Sequence, residues 1–418
     1  MIEKMKAKSM LVVSSLFLLA TITVFMACSK DSYGPDYDGP YSYEMASGEG
    51  AYDYLGGKSG NGGNGNGDNT PAGIVTAGEW SDLMHWQFWS GLMQSEDFAD
   101  KSDYWQFYTN NRVAVKVIDN KGNAVAGVSV KLLRSSDAGK SPLWEAVTDN
   151  HGLAECWVGL FQKETAPSSD LSVSIDDKLM DGHPKLCPWD SLGQAPVNQN
   201  VYTKKPATIP TADIAFVVDA TGSMGDEIEF LKNDLEYIIN KVESDQPVVT
   251  MRTAAVFYRD VGDEYVTRHS NFSENLSVTR EFIAKQRADG GNDYPEAVHT
   301  AFECMLQNLS WNAHARTRLA FLILDAPAHH EESIIHSLQQ SVTLCARQGI
   351  RLIPVAASGV DKNAEFMLRF FAVATGGTYV FLTNDSGVGN DHIAATVGDY
   401  EVEQLNNLIV RLINYYTE

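Results

Sequence analysis

The chain has 418 residues and a hydrophobic content of 44%, enough to bury a sizeable core in two or three domains. Its formal net charge of -22 argues against sequence-independent binding to nucleic acid, which needs a basic surface, and against adsorption to anionic lipid head groups. It suits an exposed protein that stays soluble or meets cations.

At the N-terminus, Lys4, Lys6 and Lys8 precede an apolar run from Met10 to Met26, and Phe25-Met26-Ala27-Cys28 follows. This pattern resembles a bacterial lipoprotein signal peptide over residues 1–27, with Phe25 where the motif usually carries Leu. The resemblance implies a lipidated Cys28 and contact with the membrane through that anchor only. An ordinary secretory signal and a single membrane span are the other readings, although a span needs about 20 apolar residues. Ser29-Lys30-Asp31 resembles the short export tag of surface-exposed lipoproteins, which implies an outer-membrane or cell-surface location.

Residues 28–72, rich in Gly, Asn, Asp, Ser and Tyr, cannot bury a core and read as a flexible tether. Residues 73–109 hold Trp80, Trp86, Trp89 and Trp105, half of the eight tryptophans. Leu83, Trp86 and Ser90 share helical spacing, so this aromatic segment is expected to pack as core onto a neighbouring domain; stacking on sugars is the alternative. Over 110–206, period-two runs (Val113, Val115, Val117; Val128, Val130, Leu132) alternate with the turns Asp119–Gly122 and Asp149–Gly152. They predict a small antiparallel β-sandwich. The stretch from Val117 to Gly152 resembles carboxypeptidase regulatory-like or transthyretin-like domains, which implies a spacer or an adhesion accessory.

From 207 to 418 the pattern turns to alternating strands and helices. Strands are expected at Asp213–Asp219, Thr250–Tyr258, Arg318–Asp325, Arg351–Ala357 and Thr378–Leu382, with Glu264–Phe272 as an antiparallel edge. Helices are expected at Ser223–Val242, Leu276–Ala288, Tyr294–Gln307, Glu331–Arg347, Lys362–Thr375 and Asp391–Tyr416. The fold class is therefore α/β, a doubly wound Rossmann-like sheet preceded by the small sandwich.

Chemistry concentrates at three points of this region. An apolar strand ends in Asp219, followed by Thr221 and Ser223; Gly290-Gly291-Asn292-Asp293-Tyr294-Pro295-Glu296 precedes a helix; a second apolar strand ends in Asp325, with Ala326-Pro327-Ala328-His329 after it. Carboxylates and hydroxyls are hard oxygen donors, suited to Mg²⁺, Mn²⁺ or Ca²⁺. Together the three segments resemble the metal-ion-dependent adhesion site of von Willebrand factor A domains. The resemblance spans about half of the chain. It implies a metal shell of Asp219, Thr221, Ser223, Asp293 and Asp325, with His329 at the rim for a ligand. It also implies a protein or glycan partner that binds through a Mg²⁺ (or Mn²⁺/Ca²⁺) ion. Asp293 stands where the common site has a neutral Thr, so three carboxylates would leave the site net negative and lean it toward structural metal binding.

Other groups read as structural. Glu296 sits where a helix N-terminus favours an acid. His329, His330 and His336 lack the i, i+4 spacing of a helical zinc site. Ser223 has no base in a recognisable motif, so no catalytic residue is assigned and the chain is read as a non-enzymatic binder. A scaffold subunit with a loop-ordering metal is the alternative, and a metal-dependent surface hydrolase is the third reading. Export permits a Cys156–Cys187 disulfide, whereas Cys304 and Cys345 lie in apolar helical contexts and read as free thiols.

Overall fold

The computed structural model describes residues 75–96, 98–137, 141–187, 197–204, 208–291, 293–384 and 394–418. The signal segment 1–27, Cys28 and the tether 28–72 lie outside the described residues. Among those described, no helix is long and apolar enough to cross a membrane.

The first element is a strand, β1 (Thr76–Trp80), which the sequence did not announce; two short helices follow, α1 (Trp86–Leu92) and α2 (Lys101–Trp105). Next come β2 (Asn110–Ile118), β3 (Ser129–Arg134), β4 (Trp144–Val147), β5 (Leu153–Gly159), β6 (Leu171–Ile175), β7 (Lys178–Leu179) and β8 (Val197–Val201). They form a three-stranded sheet, β5-β2-β8, and a four-stranded sheet, β4-β3-β6-β7. All their pairings are antiparallel except β2 with β8. Val113, Val115, Val117, Val130 and Leu132 are buried, as the alternation requires.

The α/β part follows as β9 (Ile209–Asp219), α3 (Gly225–Asp245), β10 (Thr250–Tyr258), β11 (Thr267–Ser273), α4 (Leu276–Ile283), α5 (Val298–Asn308) and β12 (Ala315–Leu324). It closes with α6 (Glu332–Gln348), β13 (Arg351–Ala356), α7 (Lys362–Thr375), β14 (Tyr379–Leu382), β15 (Glu403–Gln404) and α8 (Leu405–Thr417). One eight-stranded sheet runs β11-β10-β9-β12-β13-β14-β1-β15. Its five inner strands from β10 to β14 are parallel, and β11 and β1 pair antiparallel at either side. The doubly wound α/β class and each of the expected strands are present.

Alternation along the strands divides the interior in two. On β9, Ile214, Phe216 and Val218 enter the core shared with α3 and α8, while Ala215 and Val217 enter the core shared with α5, α6 and α7. β12 divides in the same way, Leu319, Phe321 and Ile323 against Ala320, Leu322 and Leu324. This two-sided burial is why these strands read as continuous apolar runs.

Three expectations are revised. The helix expected from Tyr294 begins at Val298, because the Glu296 N–H donates to Pro327 O at 2.9 Å and Glu296 bridges Ala328 in parallel. The helix expected from Asp391 begins at Leu405; residues 394–402 are not helical, and 385–393 lie outside the described residues. Cys156 and Cys187 are both free. Cys156 stands opposite Val113, whereas Cys187 pairs with the adjacent Arg112. Neighbouring strand positions face opposite sides of the sheet, so the two thiols point apart.

The aromatic segment is core, as its stripe indicates. Trp89 and Trp105 are fully buried; Trp89 stacks on Phe366 of α7 (6.0 Å between centroids) and Phe107 on Phe370 (4.3 Å). The contact centres on Arg369, a fully buried guanidinium on α7. Its Nη2 and Nε donate to the two oxygens of Asp82 at 2.6 and 2.9 Å, and its Nη1 reaches Glu365 at 3.3 Å. Removing one member of a buried pair strands its partner in the interior. Arg369→Ala should therefore lower stability by about 3–5 kcal/mol in urea or thermal unfolding, and Asp82→Asn should be milder because the Trp80 and Arg369 donors keep an amide oxygen.

Candidate metal centre

The parallel sheet reverses its winding at β9: the chain leaves β9 for β10 on one side and returns to β12 on the other. Such switch points leave a crevice at the carboxyl ends of the strands. Asp219 ends β9, Asp260 lies just past β10, and Asp325 follows β12, so register alone brings acids from neighbouring strands to that edge.

Asp219 is fully buried. Its Oδ1 accepts from the Thr221 N–H and from Thr221 Oγ1, both at 2.8 Å. Its Oδ2 and the Tyr258 hydroxyl are both buried without a well-aligned hydrogen-bond partner, and Tyr258 stands close enough to act against the rise in the Asp219 carboxyl. Burial, then the Asp325 charge, pushes the Asp219 carboxyl up to about 7. Burial also raises Asp325, against which Ser223 acts as a hydrogen-bond partner. Thr221 is buried and Ser223 exposed, so one hydroxyl serves the carboxylate and the other opens to solvent.

The glycine loop closes on this group. Gly222 N donates to Gly290 O at 3.1 Å, and Gly291 has φ +72°. A Cβ at Gly291 would stand 2.9 Å from both Glu296 Oε1 and Thr221 Cβ, so only glycine lets this backbone pass between them. Glu296 is 3% exposed, and its Oε2 has no partner. Burial, then the charges of Asp219, Asp260, Asp325 and Asp263, lifts its carboxyl to about 9.

Of the residues named from the sequence, Thr221 bonds Asp219, Asp325 acts on Asp219 by its charge, and Ser223 is the partner of Asp325. Asp293 is exposed, with a carboxylate oxygen within 4.8 Å of ligand atoms of Asp260 and His329. The carboxylate of this loop on which Asp219 acts electrostatically is Glu296. Sequence reasoning gave Glu296 a helix-terminal role; the missing signal was the commitment of its N–H to Pro327, which turns the residue inward before the helix starts. His329 Nε2 lies 2.8 Å from Asp260 Oδ1. The other two histidines diverge, His330 to Tyr104 O and His336 to Gln340, so no three-histidine site forms.

Two unpartnered buried carboxylate oxygens beside a third acid, with an exposed hydroxyl at the mouth, fit a divalent cation. The donors are all oxygen, which favours Mg²⁺, Mn²⁺ or Ca²⁺ over a thiolate-seeking metal.

Residues 213–364 match the family model described as von Willebrand factor A domain. A 121-residue stretch is 32% identical to the putative ariadne-like RING finger protein R811 of Acanthamoeba polyphaga mimivirus, covering 29% of this chain and 12% of that protein. A 156-residue stretch is 28% identical to the alpha-protein kinase vwkA of Dictyostelium discoideum, covering 37% of this chain and 24% of that one. The chain thus spans under a quarter of the length of either relative. Among solved structures, the von Willebrand factor type A protein from Catenulispora acidiphila is similar with a TM-score of 0.32 and 14% identity, over 51% of this chain and 42% of that chain. The α/β part of this protein has the von Willebrand factor A fold.

An acid whose folded pKa is raised costs stability once it ionises. That cost is absent below the unfolded value and fully present above the folded one. Without divalent cations, stability should therefore rise as pH falls from 8 through about 7 toward 4, because Asp219 regains its proton in that window. Asp219→Asn should melt higher than wild type at pH 8, by on the order of 1 kcal/mol per unit of raised pKa, with the difference vanishing near pH 4. Thermal melts in chelator across that range measure both.

Proposed function

We propose that this protein is a lipid-anchored surface protein whose von Willebrand factor A domain binds a protein or glycan partner through a divalent cation. Asp219 and Asp325 would supply carboxylate oxygens and Thr221 and Ser223 hydroxyls, with Glu296 as the buried acid of the third loop. The observation that carries this reading is the fully buried Asp219 with an oxygen that no group of the protein satisfies. A buried acid with an open oxygen is the kind of group that an ion or an ordered water completes.

A bound divalent ion would supply a Lewis-acidic position for one oxygen of the partner. The protein does the rest. Thr221 fixes Asp219 Oδ1 so that Oδ2 is the free oxygen. Gly291 lets the third loop approach. Exposed Ser223 marks the solvent side, where a partner would enter. Three carboxylates around one divalent ion retain negative charge, so neutral oxygens, such as glycan hydroxyls or amide carbonyls, suit the open position as well as a carboxylate does. A lipidated Cys28 and the Gly/Asn-rich spacer would hold the domain away from the membrane.

Calorimetric titration of Mg²⁺, Mn²⁺ and Ca²⁺ into the full chain tests this reading. Saturable binding is expected; for Mg²⁺ and Ca²⁺ it should be lost in Asp219→Ala, and Glu296→Gln should weaken it by about tenfold or more. Absence of binding to folded protein for all three ions would refute the metal site. If chelation instead lowered the melting temperature while partner capture persisted, the ion would be ordering loops and the scaffold role would replace adhesion.

A further inference from the structure

We propose that Asp260, Asp293 and His329 form a second divalent-cation site beside the one built on Asp219, and that it takes a borderline transition ion such as Mn²⁺, Zn²⁺ or Co²⁺. This goes beyond the adhesion reading and does not depend on it.

The three residues come from three separate loops: Asp260 after β10, Asp293 before α5, His329 after β12. Their potential ligand atoms all lie within 4.8 Å of one another. Around an ion with bonds of about 2.1 Å, adjacent octahedral ligands stand about 3.0 Å apart and opposite ones about 4.2 Å. His329 Nε2 and Asp260 Oδ1, at 2.8 Å, already form one adjacent pair. The exposed Asp293 stands within 4.8 Å of both, on the solvent side, where its side chain has room to adjust toward an ion.

The loops are tied where this site needs them. Asp263 Oδ2 accepts from the Asp260 N–H at 3.1 Å and from the Gly291 N–H at 3.0 Å. One side chain thereby fixes the loop of Asp260 against the loop of Asp293. The burial of Asp260 and half-burial of His329 set a rigid pair at the base, with Asp293 as a solvent-side arm.

A second observation separates this group from an ordinary surface acid cluster. Glu296 is 3% exposed and keeps an unpartnered Oε2, and Asp260 and Asp263 are among the charges that act on it. His299 on α5 likewise presents a buried Nδ1 without a partner, within electrostatic reach of His329 and Asp260. The imidazole nitrogen decides the class of ion: Mg²⁺ and Ca²⁺ prefer all-oxygen shells, whereas Mn²⁺, Zn²⁺ and Co²⁺ accept nitrogen with carboxylates.

Titration of the full chain with Co²⁺, read by visible absorption, and with Mn²⁺, read by calorimetry, tests the proposal. Wild type is expected to bind two Mn²⁺ and to develop a Co²⁺ band. His329→Ala should lose the band and one Mn²⁺, and Asp293→Asn should weaken the band-forming site at least about tenfold. Asp219→Ala should keep the band and lose the other Mn²⁺, so failure of the adhesion site and failure of this one are told apart. Asp293 is exposed, so its variant should fold like wild type and decides the case if His329→Ala melts early. No Co²⁺ band in wild type, or one unchanged in both His329→Ala and Asp293→Asn, would overturn the proposal.

Discussion

Repulsion between like charges at the carboxyl edge of the sheet is the constraint on which the functional end of this molecule depends. Parallel register puts Asp219 and Asp325 on the adjacent strand ends of β9 and β12, and the proline-bridged loop brings in Glu296. Each is buried, so each is pushed toward its protonated form, and the charges of Asp219, Asp260, Asp325 and Asp263 push Glu296 further. Two buried carboxylate oxygens, on Asp219 and Glu296, remain without a partner. Water screens such repulsion poorly in the interior, whereas a single divalent charge placed among the acids reverses its sign. The same residues are therefore a liability to the bare fold and an affinity for a cation.

The sheet can carry that liability because its other end and faces are firmly held. Both faces of β9 and β12 are buried, so the acids are displayed from strands that cannot shift register without exposing a core face. The segment before the small sheets adds to this hold. β1 enters the sheet between β14 and β15, and Asp82 delivers a carboxylate to the buried Arg369. Trp89, Phe98 and Tyr379 surround that guanidinium within 6 Å of their ring centres. The ion pair is costly to desolvate, yet once formed it ties the aromatic segment to α7 through two hydrogen bonds from Arg369 to Asp82.

Much of this was legible in the chain. Strands buried on both faces leave unbroken apolar runs, so β9, β10, β12 and β13 were visible within a few residues, and with them the acids Asp219 and Asp325 at their carboxyl ends. β1 was not, because Thr76-Ala77-Gly78-Glu79-Trp80 is short, has a central glycine and carries one strong β-former. Its strand state is imposed by β14, whose exposed edge it covers. The direction of two thiols was equally hidden: whether Cys156 and Cys187 meet depends on which face of β2 each one shares, a property of register and not of spacing.

The division of labour in the Gly-Gly-Asn-Asp-Tyr-Pro-Glu loop shows why the sequence named one acid where the structure uses two. Asp293 and Glu296 are three residues apart, and on a helix they would share a face. The proline and the Glu296–Pro327 hydrogen bond keep the stretch out of helix, so the two carboxylates part. Glu296 turns inward toward Asp219, while Asp293 stays in solvent near Asp260 and His329. The Tyr294 hydroxyl lies between Gly359 O and the Asp361 N–H, which pins the loop midway and prevents either acid from taking the other's place. One loop thereby presents an acid to each of two clusters, and an ion bound in either would lower the repulsion felt by Glu296.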